Sequence, residues 1–137
     1  MTMKKEIRML LLCIAILMHS NVFAVKTTVN TLTGLTTAYT NARAGDTIVV
    51  ANGTYSWGQI LLTNTANTST SNWIVVMAES ISGVTFRDST YIKFSGTRIR
   101  LDGFRFANGS CSTNPVVSFR SSSSVLANYC RVSNTTF

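Results

Sequence analysis

The sequence predicts an all-β protein, a right-handed parallel β-helix with a short N-terminal capping α-helix. Short apolar runs are separated by Gly, Asn, Ser and Thr, which are typical of turns. Three of these runs carry Ile48, Ile74 and Ile99, at intervals of 26 and 25 residues. Such a period is typical of a solenoid, in which each repeat forms one coil. A β-sandwich also has short strands, but it predicts hairpin turns rather than this repeat.

The amino terminus has the pattern of a secretory signal peptide. Three basic residues precede the apolar run "MLLLCIAILM" (9–18), and a Val-Phe-Ala triplet ends at Ala24. The apolar run is too short to span a bilayer. We therefore expect a signal peptide over residues 1–24, a secreted or periplasmic protein, and no membrane association after cleavage.

Residues 25–137 form one domain by length, with nine Lys or Arg, four Asp or Glu and a net charge of +5. A basic balance in an exported protein favours an acidic polysaccharide as partner. Nucleic acid is not expected, because the sequence has no Lys/Arg cluster and no interleaved aromatic motif. Cys111 and Cys130 remain after export, and the sequence leaves open whether they form a disulfide or pack as small apolar residues. The oligomeric state also stays open.

One helix and eight runs of strand are expected along residues 25–137. Apolar residues spaced by three and four predict the helix within "TLTGLTTAYTNARAG" (31–45), with threonines at its start and Gly45 at its end. The expected strands are "TIVVA" (47–51), "QILLT" (59–63), "WIVVMA" (73–78), "VTF" (84–86), "YIKF" (91–94), "RIRLDGFRF" (98–106), "VVSF" (116–119) and "YCRV" (129–132).

Alternation within these strands separates inward from outward side chains. We expect an apolar interior and an outer surface that carries basic residues. The inward set includes Ile99, Leu101, Phe104, Phe106 and Phe119, and the outward set Arg98, Arg100, Arg105, Arg120 and Arg131.

No set of residues in 25–137 predicts a catalytic or metal site. Its four carboxylates lie far apart in sequence, no calcium-loop or zinc spacing occurs, and the absence of histidine excludes a Ser-His-Asp triad. Asp46 and Asp102 are expected to order turns. Asn52, Asn67, Asn108 and Asn134 begin Asn-x-Ser/Thr triplets and are expected at corners of the coils, where Asn tolerates left-handed backbone.

The outward arginines Arg100, Arg120 and Arg131 are the candidates for substrate binding. Arginine binds a uronate carboxylate in bidentate fashion, so the three could line a groove for an acidic polysaccharide. They could equally be solvated residues that keep a sheet soluble. Trp57 and Trp73 are candidate sugar-stacking platforms, although packing beside the helix or at the start of a strand explains them as well.

Four segments in order resemble the N-terminal coils of polysaccharide lyase family 6, which includes alginate lyases and chondroitinase B. They are "ARAGDTIVVANGTYS", "SNWIVVMAES…GVTF", "IRLDGFRFANG" and "VVSFRSSSSVLANYCRVSNTTF". The resemblance extends from about residue 30 to 137, with Ala44 where the family's opening motif has proline.

The resemblance implies cleavage of a uronate-containing polysaccharide by β-elimination, with alginate expected first and chondroitin or dermatan sulfate next. In the family a base removes the C5 proton. A calcium ion held by Asn and Glu side chains neutralises the carboxylate, with Lys as base and Arg as acid. No Glu-x-Glu pair occurs here, and no catalytic residue can be matched.

We therefore expect residues 25–137 to be the first coils of a lyase, apparently truncated and catalytically silent alone, whose full-length form binds calcium. Whether cleavage is internal or terminal stays open. One alternative is a non-catalytic secreted β-helix that binds acidic glycans or acts as an adhesin. Another, a pectate-lyase-like enzyme, requires clustered aspartates that this sequence lacks.

Overall fold

A computed structural model describes residues 24–64, 67, 69, 71–109 and 113–137. The predicted signal peptide therefore lies almost wholly outside the described residues, as does Cys111. The described residues form one helix and twelve strands: β1 Lys26–Val29, α1 Leu32–Asn41, β2 Thr47–Val50, β3 Gly53–Tyr55, β4 Gln59–Thr63, β5 Ile74–Ala78, β6 Val84–Asp88, β7 Tyr91–Thr97, β8 Ile99–Asp102, β9 Phe104–Gly109, β10 Val117–Ser118, β11 Ala127–Asn128 and β12 Arg131–Ser133.

The strands form three parallel sheets that the chain visits in turn. Sheet A has the order β1-β2-β5-β8-β12, sheet B has the order β3-β6-β9, and in sheet C strand β7 pairs with β4, β10 and β11. Every pairing between these strands is parallel. From β2 to β10 the chain enters sheets A, B and C in turn, so each circuit of the chain is one coil of a parallel β-helix. The hairpin pairing of a β-sandwich is excluded for these strands.

The register between coils differs from the register that the isoleucine spacing suggests. Ile74 pairs with Ile99, as expected, but Ile48 pairs with Val76 rather than with Ile74. The offset is two residues, so Ile48 still points inward. The first interval is therefore 28 residues and the second 25, because the corner loops differ in length.

The interior of the coils is apolar, as the alternation predicts. Ile74, Ile99 and Phe94 are completely buried. Phe86 lies at the centre of an aromatic cluster, with ring centroids 5.4 Å from those of both Phe104 and Phe106. Such contacts between coils bury area that no single coil could hide by itself.

The segment "RIRLDGFRF" is two strands rather than one. β8 ends at Asp102 and β9 begins at Phe104, and the two belong to different sheets. Between them Gly103 has φ +79°, a left-handed conformation that forms the corner and that glycine adopts without steric cost. The corner also shifts the alternation by one residue, so Leu101 and Phe104 both point inward.

Helix α1 closes the N-terminal end of the interior. The Thr31 hydroxyl accepts a hydrogen bond from the Gly34 amide at 3.0 Å, which confirms the predicted N-terminal cap. Leu35 and Tyr39 are buried against the first coil. The helix ends at Asn41, before Gly45. The edge of β2 is covered by β1, a strand that was not predicted.

Polar side chains satisfy the backbone where the coils turn. The buried Asn64 side chain donates to the carbonyl oxygens of Tyr39 and Ala42, both at 2.9 Å, at the end of α1. Asn108 and Asn134 adopt left-handed backbone, with φ of +53° and +50°, as expected for corner residues. Asn67 instead is buried, and its amide donates to the Thr97 carbonyl at 2.9 Å.

The expectation that Phe119 points into the interior is wrong in part. Its ring contacts the Phe94 ring, with centroids 4.8 Å apart, but 47% of the residue is exposed. Val117 and Val132, on the last strands of the described coils, are only half-buried as well.

The described part of the chain contains no helix with the length and hydrophobicity that a membrane span requires.

Gly96 and Gly58 provide a matched test of how closely the coils pack. Both have positive φ, +122° and +65°. A Cβ at Gly96 would collide with the Asn64 carbonyl oxygen, whereas a Cβ at Gly58 would meet no atom within 4 Å. We expect Gly58→Ala to lower the free energy of unfolding by about 1 kcal/mol, and Gly96→Ala by about 3 kcal/mol or more. Urea unfolding measures both, and equal losses would contradict this packing.

Candidate functional site

Two of the three candidate arginines lie side by side on sheet A. Arg100 on β8 and Arg131 on β12 are direct register partners in neighbouring coils. Paired residues of parallel strands lie about 4.8 Å apart and point to the same face of the sheet. Arg131 is exposed, and 40% of the Arg100 side chain is exposed. The outer face of sheet A therefore carries two adjacent guanidinium groups.

Arg120 lies apart from this pair. It follows β10 of sheet C, and a single antiparallel bridge joins it to Leu126 across a short loop. With Lys93 it lines a cleft of about 610 Å³ that also includes Ser118. None of the four carboxylates of residues 25–137 lines this cleft. The three arginines therefore do not share one face, and their role in substrate binding stays a prediction.

Asp102 anchors Arg100 and joins two coils. One of its carboxylate oxygens accepts a hydrogen bond from the Arg100 guanidinium at 2.6 Å. The other oxygen accepts from the Ser133 hydroxyl at 3.0 Å and from the Asn134 amide at 2.8 Å. Asp102 was expected to order its own turn, but these partners are side chains, and two of them belong to the next coil. In the described part of the chain Asp102 pairs with Arg100, and Arg131 has no ion pair.

The surroundings of Asp102 favour its charged form. Burial by itself would raise the pKa of this carboxyl, since only 8% of the residue is exposed. The hydrogen bonds from Asn134 and Ser133 and the charge of Arg100 outweigh burial, so the pKa lies below its ordinary value. The Nε atom of Arg100 is buried and has no hydrogen-bond partner in the described part of the chain. Arg100 is therefore held mainly through Nη2.

Asp46 has the turn role that the sequence predicts. Its two carboxylate oxygens accept hydrogen bonds from the backbone amides of Val25, at 2.8 Å, and Arg43, at 2.7 Å. These bonds tie the start of β1 to the turn between α1 and β2. These two backbone contacts account for the presence of Asp46 without any ligand.

The two tryptophans lie in different surroundings. Trp57 was expected beside the helix, but its ring neighbours are Tyr55, at 4.4 Å, and Phe86, at 5.5 Å, on sheet B. Trp73 directly precedes β5, as expected, and the guanidinium carbon of Arg98 lies 5.9 Å from its ring centroid. On its other side Arg98 lies 5.4 Å from the Tyr129 ring centroid. No sequence pattern pointed to Tyr129, because the three residues belong to different coils.

The calcium ion that the resemblance implies for the full-length enzyme stays a prediction. No group of three or more His, Cys, Asp or Glu among them could hold a metal ion. Cys130 is half-buried, and burial raises the pKa of its thiol. Its pairing with Cys111 stays untested, since Cys111 is outside the described residues.

The family model for chondroitinase B matches residues 29–137. The chain belongs to the chondroitinase B family. The match covers the four segments that resemble polysaccharide lyase family 6 and confirms that resemblance. No curated protein sequence matches the chain significantly.

Solved lyases of this family confirm the fold. The PL6 family alginate lyase AlyGC superposes with a TM-score of 0.74 at 25% identity, over 81% of this chain and 15% of that chain. A mannuronic acid specific family 6 lyase from human gut microbiota gives 0.70 at 20% identity, over 80% and 25% of the two chains. The PL6 lyase Pedsa3628 from Pseudopedobacter saltans gives 0.68 at 24%, over 80% and 24%. The chain thus spans a quarter or less of the length of these family members.

Asp102→Asn tests the link between the coils. The variant keeps acceptors for Ser133 and Asn134 but loses the ion pair, so we expect it to lower the free energy of unfolding by about 1–3 kcal/mol at neutral pH. Because the pKa of Asp102 is lowered in the folded state, its contribution is present above the ordinary value of 3.8 and is lost as the pH falls below it. Urea unfolding across this pH range measures the difference. A difference that stays constant with pH would contradict the ionic contribution.

Proposed function

We propose that this chain forms the N-terminal coils of a secreted polysaccharide lyase that cleaves uronate-containing polysaccharide by β-elimination. The match of the chondroitinase B family model to residues 29–137 is the observation that carries the proposal. Alginate is the first candidate substrate, because AlyGC is described as an alginate lyase and a second neighbour as mannuronic acid specific. Chondroitin or dermatan sulfate is the next candidate, from the name of the family.

The proposed reaction breaks a C–O bond without water. A base takes the proton at C5 of the uronate, the C4–O bond breaks, and a C4=C5 double bond forms while the leaving oxygen gains a proton. The C5 proton is weakly acidic, so the neighbouring carboxylate must be neutralised for the proton to leave. The described residues have no metal-binding group of acidic or histidine side chains. We therefore assign no catalytic step and no calcium ligand to them.

The contribution we propose for the described coils is contact with the acidic chain. Arg131 is exposed and has no ion pair in the described part of the chain, so its guanidinium can receive a uronate carboxylate in bidentate fashion. Arg100 is fixed one strand away by Asp102. A guanidinium held in place loses less conformational entropy on binding than a free one. Lys93 and Arg120 in their cleft are a second basic surface for the same kind of ligand.

The second candidate function is binding without cleavage, as in a secreted β-helix that holds acidic glycans or acts as an adhesin. It is supported by the exposed arginines of the described residues, which contain no group of three or more His, Cys, Asp or Glu that could hold a metal ion. The two functions differ in whether the whole protein to which these coils are proposed to belong produces an unsaturated sugar.

Arg131→Ala tests the glycan contact, with Arg105→Ala as its matched control. Arg105 is also exposed but lies on sheet B, so its loss removes the same charge from another face. We expect Arg131→Ala to weaken binding of alginate oligosaccharides about tenfold, since a charged hydrogen bond is lost, and Arg105→Ala to change it little. Isothermal titration calorimetry measures the affinities, with a neutral glucan as the negative ligand. Equal affinities of the two variants would refute the role of Arg131.

The absorbance of unsaturated product tests whether these coils cleave polysaccharide by themselves. The whole chain is incubated with alginate and with dermatan sulfate. Binding with no product is expected of the isolated coils, and product formation would contradict the assignment of no catalytic residue to them. Failure to bind either polysaccharide would refute both candidate functions.

Export makes a further prediction at Val25. Cleavage after Ala24 would convert the Val25 amide, 2.8 Å from the Asp46 carboxylate, into an ammonium group beside a buried acid. We expect the chain that starts at Val25 to melt about 4 °C higher with a free amino group than when acetylated, for an ion pair of about 1 kcal/mol. Acetylation keeps the N–H donor and removes only the charge. Calorimetry measures Tm, and the Asp46→Asn background should abolish the difference; equal melting temperatures with Asp46 present would contradict the ion pair.

A further inference from the structure

Three large side chains stack at one corner of successive coils. Trp73 precedes β5 and Arg98 precedes β8, while Tyr129 occupies the same place one coil later, before β12. The Arg98 guanidinium carbon lies 5.9 Å from the Trp73 ring centroid and 5.4 Å from the Tyr129 ring centroid. We call these three residues the corner column. Arg100 and Arg131 follow Arg98 and Tyr129 by two residues, on strands β8 and β12 of sheet A.

The backbone at this corner does not explain the residues found there. Arg98 and Tyr129 both have left-handed backbone, with φ of +56° and +52°. The other non-glycine residues with left-handed backbone in the described chain are small and polar, as this conformation prefers: Ser82, Asp88, Asn108 and Asn134. A long Arg or an aromatic Tyr gains nothing from this conformation. The side chains, rather than the backbone, must account for their presence.

The Arg98 guanidinium lies between two aromatic rings and has no ion pair in the described part of the chain. A guanidinium that packs its faces against aromatic rings keeps its N–H donors in the plane between them. In the described part of the chain the only ion pair is Arg100–Asp102, so no carboxylate neutralises Arg98. The two rings restrict the orientation of the side chain, and an acceptor from outside would find the donors already positioned.

Tyr129 adds an exposed aromatic surface to this charge. It is 75% exposed, an unusual exposure for an aromatic side chain. The face of an aromatic ring carries negative charge density, and the C–H bonds of a pyranose ring pack against such a face. A hexuronate unit combines the two groups that Tyr129 and Arg98 can contact, a sugar ring and a carboxylate.

We propose that the corner column Trp73–Arg98–Tyr129 is a binding site for a hexuronate unit, with the carboxylate on the Arg98 guanidinium and the sugar ring against Tyr129. The proposal rests on the proposed function, in which the ligand is an acidic polysaccharide, and assigns one sugar unit of that ligand to defined residues. The competing explanation is that the column only holds successive coils together through cation–π contacts.

Substitution by asparagine separates these explanations. Asn is favoured in left-handed backbone, so Arg98→Asn and Tyr129→Asn relieve the backbone while removing the column. We expect each variant to keep or increase its stability in urea, and to bind oligomannuronate or oligoguluronate about tenfold more weakly in calorimetric titration. Ser82→Asn is the matched control, because it makes the same kind of change at another left-handed position and should leave the affinity unchanged.

Each outcome decides the proposal. Weaker binding at undiminished stability supports the hexuronate site. Lower stability with unchanged affinity shows that the column only holds the coils together, and this result overturns the hexuronate site. If Arg131→Ala weakens binding but both asparagine variants bind like the parent chain, the corner column is refuted and the proposed function stands. If the parent chain binds no acidic oligosaccharide, the proposed function is refuted, and the proposed hexuronate site is refuted with it.

Discussion

The constraint on which the rest of this structure depends is that every strand finds its hydrogen-bond partners in another coil. From β2 to β10 the chain enters sheets A, B and C in turn, so the hydrogen-bonding partners of β8 are β5 and β12. No coil can satisfy its backbone or bury its apolar side chains alone. The register between coils therefore determines which side chains stack, both inside, as with Ile74 and Ile99, and outside, as with Arg100 and Arg131.

Stacking in register brings charged side chains together on the outer face, just as it brings apolar side chains together in the interior. Two arginines one strand apart repel each other, and the nearby carboxylate of Asp102 offsets one of the two charges. The same carboxylate ties β8 to Ser133 and Asn134 in the next coil. A contact that holds two coils together thus also fixes the position of a basic side chain on the outer face. This coupling links the stability of the last described coils to the geometry of the surface that we propose binds acidic glycan.

The corners between sheets also affect both the stability of the coils and the chemistry of their surface. At most corners, small polar residues or glycine accommodate the left-handed turn, as at Gly103 and Asn108. At the corner between sheets C and A, Arg98 and Tyr129 take that conformation instead and stack together with Trp73. The backbone conformation repeats from coil to coil. This corner differs from the others because it carries Arg and Tyr where small polar residues or glycine are preferred.

The sequence by itself determined the fold class, the apolar interior, the N-terminal cap at Thr31 and the turn role of Asp46, because each follows from local alternation, helical spacing or turn chemistry. It did not determine that Ile48 pairs with Val76, that β1 covers the edge of β2, or that Arg120 lies apart from the other two arginines. Pairing partners in this solenoid lie 20 to 32 residues apart, and the irregular lengths of the corner loops set their register. Only the tertiary structure could therefore decide which outward side chains become neighbours.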